Sequence, residues 1–312
     1  MASVLFLAPA DLGETVLATG ALAHVLGEGD QLTVFCETPA QALFRAMPQL
    51  VGLSSPAPGS NWRAAAGLVL AHLGRPFDIL FDARGGAGSY FIAARRRITR
   101  QAPTVLRHMI EELSDLVGAE RTLAPKLAID EQARANAAAF APGSVLVLAP
   151  GGAIAGKRWA PERFAAVARR LQGGPLAQTT VVAVGAGARD RTLTRTIVSS
   201  LDADGVPARD LGAEFDLLDC AALMERATLC IGNDNALTHI AAAMGAPTLS
   251  LFGPTDERVR APYGPRARTL RGKSFEEIAA LAPLDEGAAM EDVSIDAVEA
   301  AALDLLHAGG LR

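Results

Sequence analysis

The 312-residue sequence predicts an α/β protein made of two doubly wound halves with a cleft between them. Three observations carry that reading. Short apolar runs alternate with helix-spaced segments from residue 4 onward, the pattern of parallel strands covered by helices on both faces. An alanine-rich stretch at 133–144, closing on Ala141-Pro142-Gly143-Ser144, interrupts the pattern as a linker or its flanking helix. A fully apolar run at 145–149 then restarts it, in a chain long enough for two ordinary domains.

Composition narrows the function classes. The chain is 50% hydrophobic and 20% charged, enough to bury large cores, and its net charge of −5 provides no basic field for nucleic acid. Its three cysteines, Cys36, Cys220 and Cys230, lack CxxC spacing, so a reduced cytosolic protein without structural disulfides is expected. Residues 1–8 lack a basic start and run into Pro9 and Asp11, which reads as a strand and not a signal peptide. No apolar stretch reaches 18 residues, so any membrane contact is expected to be peripheral.

In the first half, residues 4–8 are a strand, followed by the turn Pro9-Ala10-Asp11-Leu12-Gly13-Glu14. Val16, Leu17, Leu22, Val25 and Leu26 mark a helix face. Residues 32–36 form the next strand, 39–47 a helix, and 79–82 a strand ending in Ala83-Arg84-Gly85-Gly86. Ligands of such sheets lie beyond the carboxyl ends of strands, where Glu14 and Arg84 fall. Arg95, Arg96, Arg97, Arg100 and Arg107 form a basic cluster, read either as a solvated face or as a site for an anionic acceptor.

In the second half, the strand at 145–149 leads into a loop at 151–159 and a helix at 161–171 with proline in its first turn. A strand at 180–184 and a helix at 190–201 follow. The most informative stretch is 231–254, IGNDNALTHIAAAMGAPTLSLFGP. A strand at 227–231 ends in Gly232-Asn233-Asp234-Asn235, where Asp234 or Asn235 can cap a helix carrying Leu237, Ile240, Ala241 and Met244. Gly245 and Pro247 stop that helix, and a strand at 248–252 ends at Gly253-Pro254. This βαβ unit aims helix N–H groups and the positive end of a dipole above the sheet, which suits a phosphate. Ser294 caps a last helix at 295–307.

Several motifs fall short of known chemistry. Gly151–Arg158 nearly matches a P-loop, but Arg158 supplies no hydroxyl for Mg²⁺ and the helix starts too late. Lys157 is nevertheless one of only three lysines, and a Lys-Arg pair past a strand end suits a diphosphate leaving group. Gly185-Ala186-Gly187 lacks the third glycine of a dinucleotide fingerprint. Asp202-Ala203-Asp204 resembles a DxD metal ligand but reads as a solvated turn. His239, five residues after Asp234, either faces the ligand of that turn or is structural. Glu14 reads as a helix-start carboxylate or as a general base, with Asp11 its rival on the same turn.

Three stretches together resemble the ADP-heptose:lipopolysaccharide heptosyltransferases of glycosyltransferase family nine. They are Asp11 through Leu22; Pro150-Gly151-Gly152 with Lys157-Arg158-Trp159 and Arg163-Phe164; and Asn233-Asp234-Asn235-Ala236-Leu237-Thr238-His239 with Phe252-Gly253-Pro254-Thr255-Asp256 and Pro262-Tyr263-Gly264. The resemblance implies a GT-B fold, two Rossmann-like doubly wound domains facing across a cleft. An acceptor domain would span residues 1–140 and a nucleotide-sugar domain 144–290, with a helix in 294–312 packing back on the first. It implies an inverting, metal-independent transferase without a cofactor, moving a heptose from an ADP-sugar, ADP-heptose in this family, to lipopolysaccharide inner core. The acceptor would then be an anionic glycolipid, and the enzyme cytoplasmic, peripheral on the inner membrane.

Carried onto this chain, the resemblance implies that Glu14 removes the acceptor proton and Lys157 stabilises the departing diphosphate. Amides of Asn235, Ala236 and Leu237 would hold that diphosphate, and Asp234 and His239 fall on signature positions. Asp190 falls near the donor ribose contact; Asp11, Gly13, Arg84 and Arg158 complete the expected substrate-binding set. The chain departs from the family pattern in Glu14 for Asp, Asn235-Ala236 for Thr-Gly, and Gly20 for Pro. Two alternatives remain open: a GT-B-fold protein that binds a nucleotide sugar without turnover, and another GT-B enzyme such as a nucleotide-sugar epimerase.

Overall fold

The computed structural model describes residues 1–309 except 57–66, 69–71, 73, 186, 213–214 and 282–287. The chain divides into two compact units, Met1–Ile129 and Asp130–Arg312.

The first unit is a five-stranded parallel sheet in the order β3-β2-β1-β4-β5. Its strands are β1 (Ser3–Leu7), β2 (Gln31–Phe35), β3 (Leu50–Ser54), β4 (Phe77–Asp82) and β5 (Ala94–Thr99). Helix α1 (Leu12–Val25) follows β1, and α2 (Met109–Leu116) follows β5. The apolar centre of β1, Val4 to Leu7, is buried throughout, as a central strand covered on both faces must be. Helix α1 is buried on nearly all sides, not on one face. Two of its threonines make that tolerable: Thr15 Oγ1 donates to Pro9 O (3.1 Å), and Thr19 Oγ1 donates to Val16 O (2.7 Å). Gly20 is required here, because a Cβ at that position would lie 2.2 Å from the carbonyl oxygen of Ala124. The expected helix at 39–47 is a 3₁₀ segment, Thr38–Phe44.

The second unit opens with α3 (Glu131–Phe140) and β6 (Val145–Ala149), then α4 (Pro161–Gln172), β7 (Thr180–Ala183), α5 (Gly187–Ala203) and β8 (Ala208–Asp210). It continues with α6 (Leu217–Glu225), β9 (Ala227–Asn233), α7 (Ala236–Ala243), β10 (Thr248–Phe252), α8 (Glu257–Arg260), β11 (Ala267–Arg271), α9 (Phe275–Ala280) and α10 (Ile295–Ala308). The six strands are parallel in the order β11-β10-β9-β6-β7-β8. Helix α7 ends in a Schellman motif: Ala246 N–H donates to Ala241 O, Gly245 N–H to Ala242 O, and Gly245 takes φ 78°.

Two boundaries differ from expectation. The first unit stops at Ile129 instead of residue 140, because α3 belongs to the second. Asn136 Nδ2 donates to Asp219 Oδ1 (2.9 Å), Arg134 pairs with Glu225, and Phe140 stacks edge-on against Phe215. The last helix buries Val298, Ala302, Leu305 and Leu306 in the second unit's core, and the second unit runs past residue 290 to include it. These side chains join Trp159, Phe164, Leu229 and Leu249, so α10 serves as a cover for the second sheet.

Candidate functional site

In each unit the chain order reverses direction beside the first strand, and a doubly wound sheet opens a crevice at that point. In the second unit β6 lies between β9 and β7, so the loops after β6 and β9 part there. Neighbouring β10 contributes the turn after Phe252. These three loops carry Lys157, Asp234 and Thr255.

Asp234 is the centre of the cluster. Its side chain is only 9% exposed, and Lys157 Nζ lies 2.6 Å from its Oδ2. Thr255 Oγ1 donates to the same oxygen at 2.7 Å. His239 Nε2 lies 4.0 Å from Oδ1, within a side chain that is itself buried. One carboxylate thus fixes an ammonium and a hydroxyl from two other loops, with the His239 imidazole of α7 close by. The ammonium has three protons and gives one to Asp234, leaving two for a ligand.

Asn235, not Asp234, is the helix cap. Its Oδ1 accepts from Leu237 N (2.8 Å) and Thr238 N (3.3 Å), while its Nδ2 donates to Ala149 O and Gly151 O, both at 3.0 Å. The Leu237 amide expected to hold phosphate is therefore already engaged. The amides of Asn235 and Ala236 show no acceptor among the described residues. Asp190, in the first turn of α5, sits against the same loop: a Cβ on Gly151 would lie 2.4 Å from Asp190 Oδ2. The structure thus brings Lys157, Asp234, Asn235, Ala236, His239 and Asp190 to the carboxyl edge of one sheet.

Arg158 closes its own loop. Its Nε and Nη2 both donate to Gly152 O, at 3.0 and 2.8 Å. Asn233, read in sequence as one residue of the turn and of the resemblance, is the hidden clamp. Fully buried, it accepts from Trp159 N (3.1 Å) and donates to Pro150 O (2.7 Å). Trp159 Nε1 donates to Val293 O (2.8 Å) and Arg163 Nη1 to Glu291 O (2.9 Å). The Lys157 loop is therefore sewn to β9 on one side and to the approach to α10 on the other.

In the first unit, Asp11 caps α1 by accepting from Glu14 N at 2.9 Å. Gly13 is buried in the first turn. Glu14 Oε2 lies 3.4 Å from Arg100 Nη1, and Arg100 Nη2 lies 3.1 Å from Glu112 Oε2. Arg100, one of the arginines read in sequence either as a solvated face or as a site for an anionic acceptor, thus bridges two largely buried carboxylates. Arg84 donates from Nε to Ala8 O (3.0 Å), pairs with Glu37 (2.7 Å), and lies 5.3 Å from the centre of the Phe35 ring. It also lines a cavity of about 420 Å³ beyond the strand ends, with Ala10, Phe35, Asp82 and Gly85. Asp82, not foreseen, is buried there and accepts from Gly85 N (2.8 Å); burial pushes its carboxyl above the ordinary range.

The remaining candidates are structural. Asp204 of the DxD sequence is ion-paired with Arg169. All three cysteines are buried and free, and burial pushes each thiol up to about 12. Among the described residues no group of three or more His, Cys, Asp and Glu side chains is placed to hold a metal ion. None of the described helices is long and apolar enough to cross a membrane.

Two parallel doubly wound units, each with its candidate residues past the strand ends at the switch point, define the GT-B class of α/β proteins. The chain belongs to glycosyltransferase family 9 (heptosyltransferase), which matches residues 61–282. It is similar to lipopolysaccharide heptosyltransferase 2 of Salmonella typhimurium, 27% identical over 116 residues. That match takes in 37% of this chain and 32% of the relative, so the chain spans about a third of the length of that curated relative. In fold it is similar to E. coli ADP-heptose LPS heptosyltransferase II, with TM-score 0.76, 18% identity and 99% of both chains covered. It is also similar to E. coli heptosyltransferase WaaC with ADP, with TM-score 0.72, 14% identity and coverage of 97% of this chain and 99% of that one.

Proposed function

We propose that the protein is an inverting, metal-independent glycosyltransferase that moves a heptose, or a related sugar, from an ADP-sugar to a lipopolysaccharide inner-core or other cell-envelope glycan acceptor. The observation that carries this reading is the Lys157–Asp234–Thr255 cluster beside the first turn of α7. A fixed cation beside two backbone amides suits a diphosphate and supports the reading. Family membership and the ADP named with one structural neighbour support the choice of nucleotide.

In the proposed reaction, the acceptor hydroxyl oxygen bonds to the anomeric carbon as the bond from that carbon to the diphosphate oxygen breaks. The bonding pair leaves with the diphosphate, whose charge Lys157 stabilises. The hydroxyl proton passes to Glu14. Asp234 and Thr255 position Lys157 and the turn, and Asn235 holds the loops together through Ala149 and Gly151. Asp190 is assigned to the donor's ribose. Arg84 and Asp11 are assigned to the acceptor side, with the cavity beside Arg84 as its first subsite. The acceptor is an anionic glycolipid, which places the protein on the cytoplasmic face of the inner membrane.

Incubation with ADP-heptose and a heptose-deficient core acceptor tests the reading. Product of inverted anomeric configuration with release of ADP is the expected result. A non-catalytic nucleotide-sugar-binding role is favoured by one observation, the ion pair that ties the proposed base Glu14 to Arg100. ADP binding without product from any core acceptor would select that role instead.

A further inference from the structure

Arg100 lies just past the end of β5 and stands between two acidic side chains, Glu14 of α1 and Glu112 of α2. All three are largely buried, with 16% of the Arg100 side chain and 12% of each acidic one exposed. Arg100 N–H donates to Asp82 O (2.8 Å), so the arginine's backbone continues the ladder between β4 and β5. The guanidinium is divided unequally. Its Nε and Nη2 both donate to Glu112 Oε2, at 3.3 and 3.1 Å, whereas Nη1 alone reaches Glu14 Oε2, at 3.4 Å. The strong form of an Arg–carboxylate pair sets two parallel bonds of about 2.7–2.9 Å against both oxygens. Glu112 commits one oxygen to Arg100, and its other, Oε1, is buried without a hydrogen-bond partner among the described residues. Anchoring α2 to β5 accounts for an ion pair here. It does not account for a one-oxygen grip that leaves Nη1 turned to Glu14.

Charge balance explains the arrangement. With both carboxylates ionised the cluster carries one net negative charge, and a proton delivered to Glu14 neutralises it. If Arg100 faced Glu14 alone, the same proton would leave a largely buried guanidinium without a counter-ion, which is costly. An opposite charge favours the ionised form of a carboxylate and a like charge opposes it. Glu112 therefore acts on Glu14 twice, by drawing Arg100 away and by its own charge. The other described charged groups on the elements around α1 are committed elsewhere or exposed. Asp11 caps the turn that carries Glu14, His108 caps α2, and Asp82 accepts from Gly85 N. Asp115 pairs with Arg107, Glu37 ahead of the 3₁₀ segment pairs with Arg84, and Glu111 is exposed.

We propose that Glu112 is a positioning residue for the base: by holding Arg100 through two nitrogens, it orients Glu14 and leaves that carboxylate able to take the acceptor's proton. This role rests on the reading of Glu14 as the base, and two measurements on the full chain separate them. Carboxyl-carbon NMR of glutamate-labelled protein follows the titration of Glu14 without acceptor or nucleotide, its signal assigned by its loss in Glu14→Gln. Glu112→Gln should move that titration to lower pH by about one pH unit, since Arg100 then serves Glu14 alone. Arg100→Gln should move it to higher pH by about as much, because two carboxylates then face each other. Glu111→Gln, the same change one position earlier on an exposed side chain, should leave it unmoved. A merely structural anchor alters stability in both variants and does not move the titration in opposite directions. Should Arg100→Gln fail to fold, Arg100→Gln/Glu112→Gln keeps the test decisive, and its titration should lie above that of Glu112→Gln. The acid limb of kcat/KM against pH should shift with the titration in each variant, with KM for the ADP-sugar unchanged. A titration that moves while the acid limb stays would overturn the reading of Glu14 as the base and the proposal with it. An unmoved titration in Glu112→Gln, or shifts of the same sign in the two single variants, would overturn the proposal alone.

Discussion

Lys157 answers to two partners, and this governs what its removal does. Asp234 is nearly buried, so truncating the lysine leaves a carboxylate with Thr255 as its remaining close donor. A buried group deprived of its partner costs about 1–3 kcal/mol. Loss of a cation aimed at developing diphosphate charge costs about 3–4 kcal/mol in the transition state, by analogy with oxyanion donors. Lys157→Ala should therefore lower both the urea midpoint and the turnover rate, the latter by about a hundredfold or more. Adding Asp234→Asn should restore much of the stability and none of the rate, which separates the two demands. Glu14 and Asp11 part in the opposite way. Asp11 caps α1 and is assigned to the acceptor side, so Asp11→Asn, which keeps a capping oxygen, should change stability little and raise the acceptor KM with a far smaller loss of kcat than Glu14→Gln. Glu14→Gln should keep the fold and lose about 10² to 10⁴ in rate, the usual loss on removing a general base. If Asp11→Asn abolishes turnover and Glu14→Gln does not, the base is Asp11.

At the scale of elements, the start of β1 is fastened by two carboxylates. Asp30 accepts from Ala2 N (2.7 Å) and Gly27 N (2.8 Å); Asp78 accepts from Ser3 N (2.9 Å) and Ser3 Oγ (3.0 Å). These bonds hold both carboxyls below their ordinary value of 3.8. The folded state therefore binds these protons less readily than the unfolded chain. The stability they contribute is complete above about pH 4 and is lost as pH falls through the lowered values. Asp30→Asn and Asp78→Asn should each reduce stability at pH 7 and flatten the decline below pH 4, as read from urea midpoints. The central strands and their loops were legible in sequence because their signal is local: an unbroken apolar run followed by a glycine turn. Strands β3 and β5 were not. Both lie at the edges of their sheet, half exposed, and the arginines of β5 conceal its alternation. What makes them strands is pairing with the strands just before them, β2 and β4, which the local residue pattern does not display. The site divides in the same way. Lys157, Asp234 and His239 stand out beside strand ends, whereas Arg100 meets Glu14 across 86 positions and no spacing announces it. The choice of Asn235 over Asp234 as cap was likewise open, because either side chain can reach the first turn.

For the molecule as a whole, the second unit carries every proposed donor contact, and its integrity depends on its last helix. A parallel sheet needs cover on both faces. Helix α10 supplies part of that cover through Val298, Leu305 and Leu306, each worth about 1.5–3 kcal/mol when fully buried. Their combined contribution rivals the roughly 5–15 kcal/mol by which a whole domain is stable. The segment leading into α10 also accepts the hydrogen bonds of Trp159 and Arg163 that anchor the Lys157 loop. A fragment spanning residues 130–312 should therefore fold by itself and bind ADP. At 100 times its dissociation constant, the nucleotide should stabilise that fragment by about 2.7 kcal/mol. A fragment ending at residue 293 should lose cooperative unfolding and ADP binding together, because fold and loop share the same anchor. Hydrogen exchange on the intact chain provides the independent check. ADP should slow exchange at residues 151–158 and 234–239, and protection confined to residues 1–129 would refute the assignment of the donor site to the second unit.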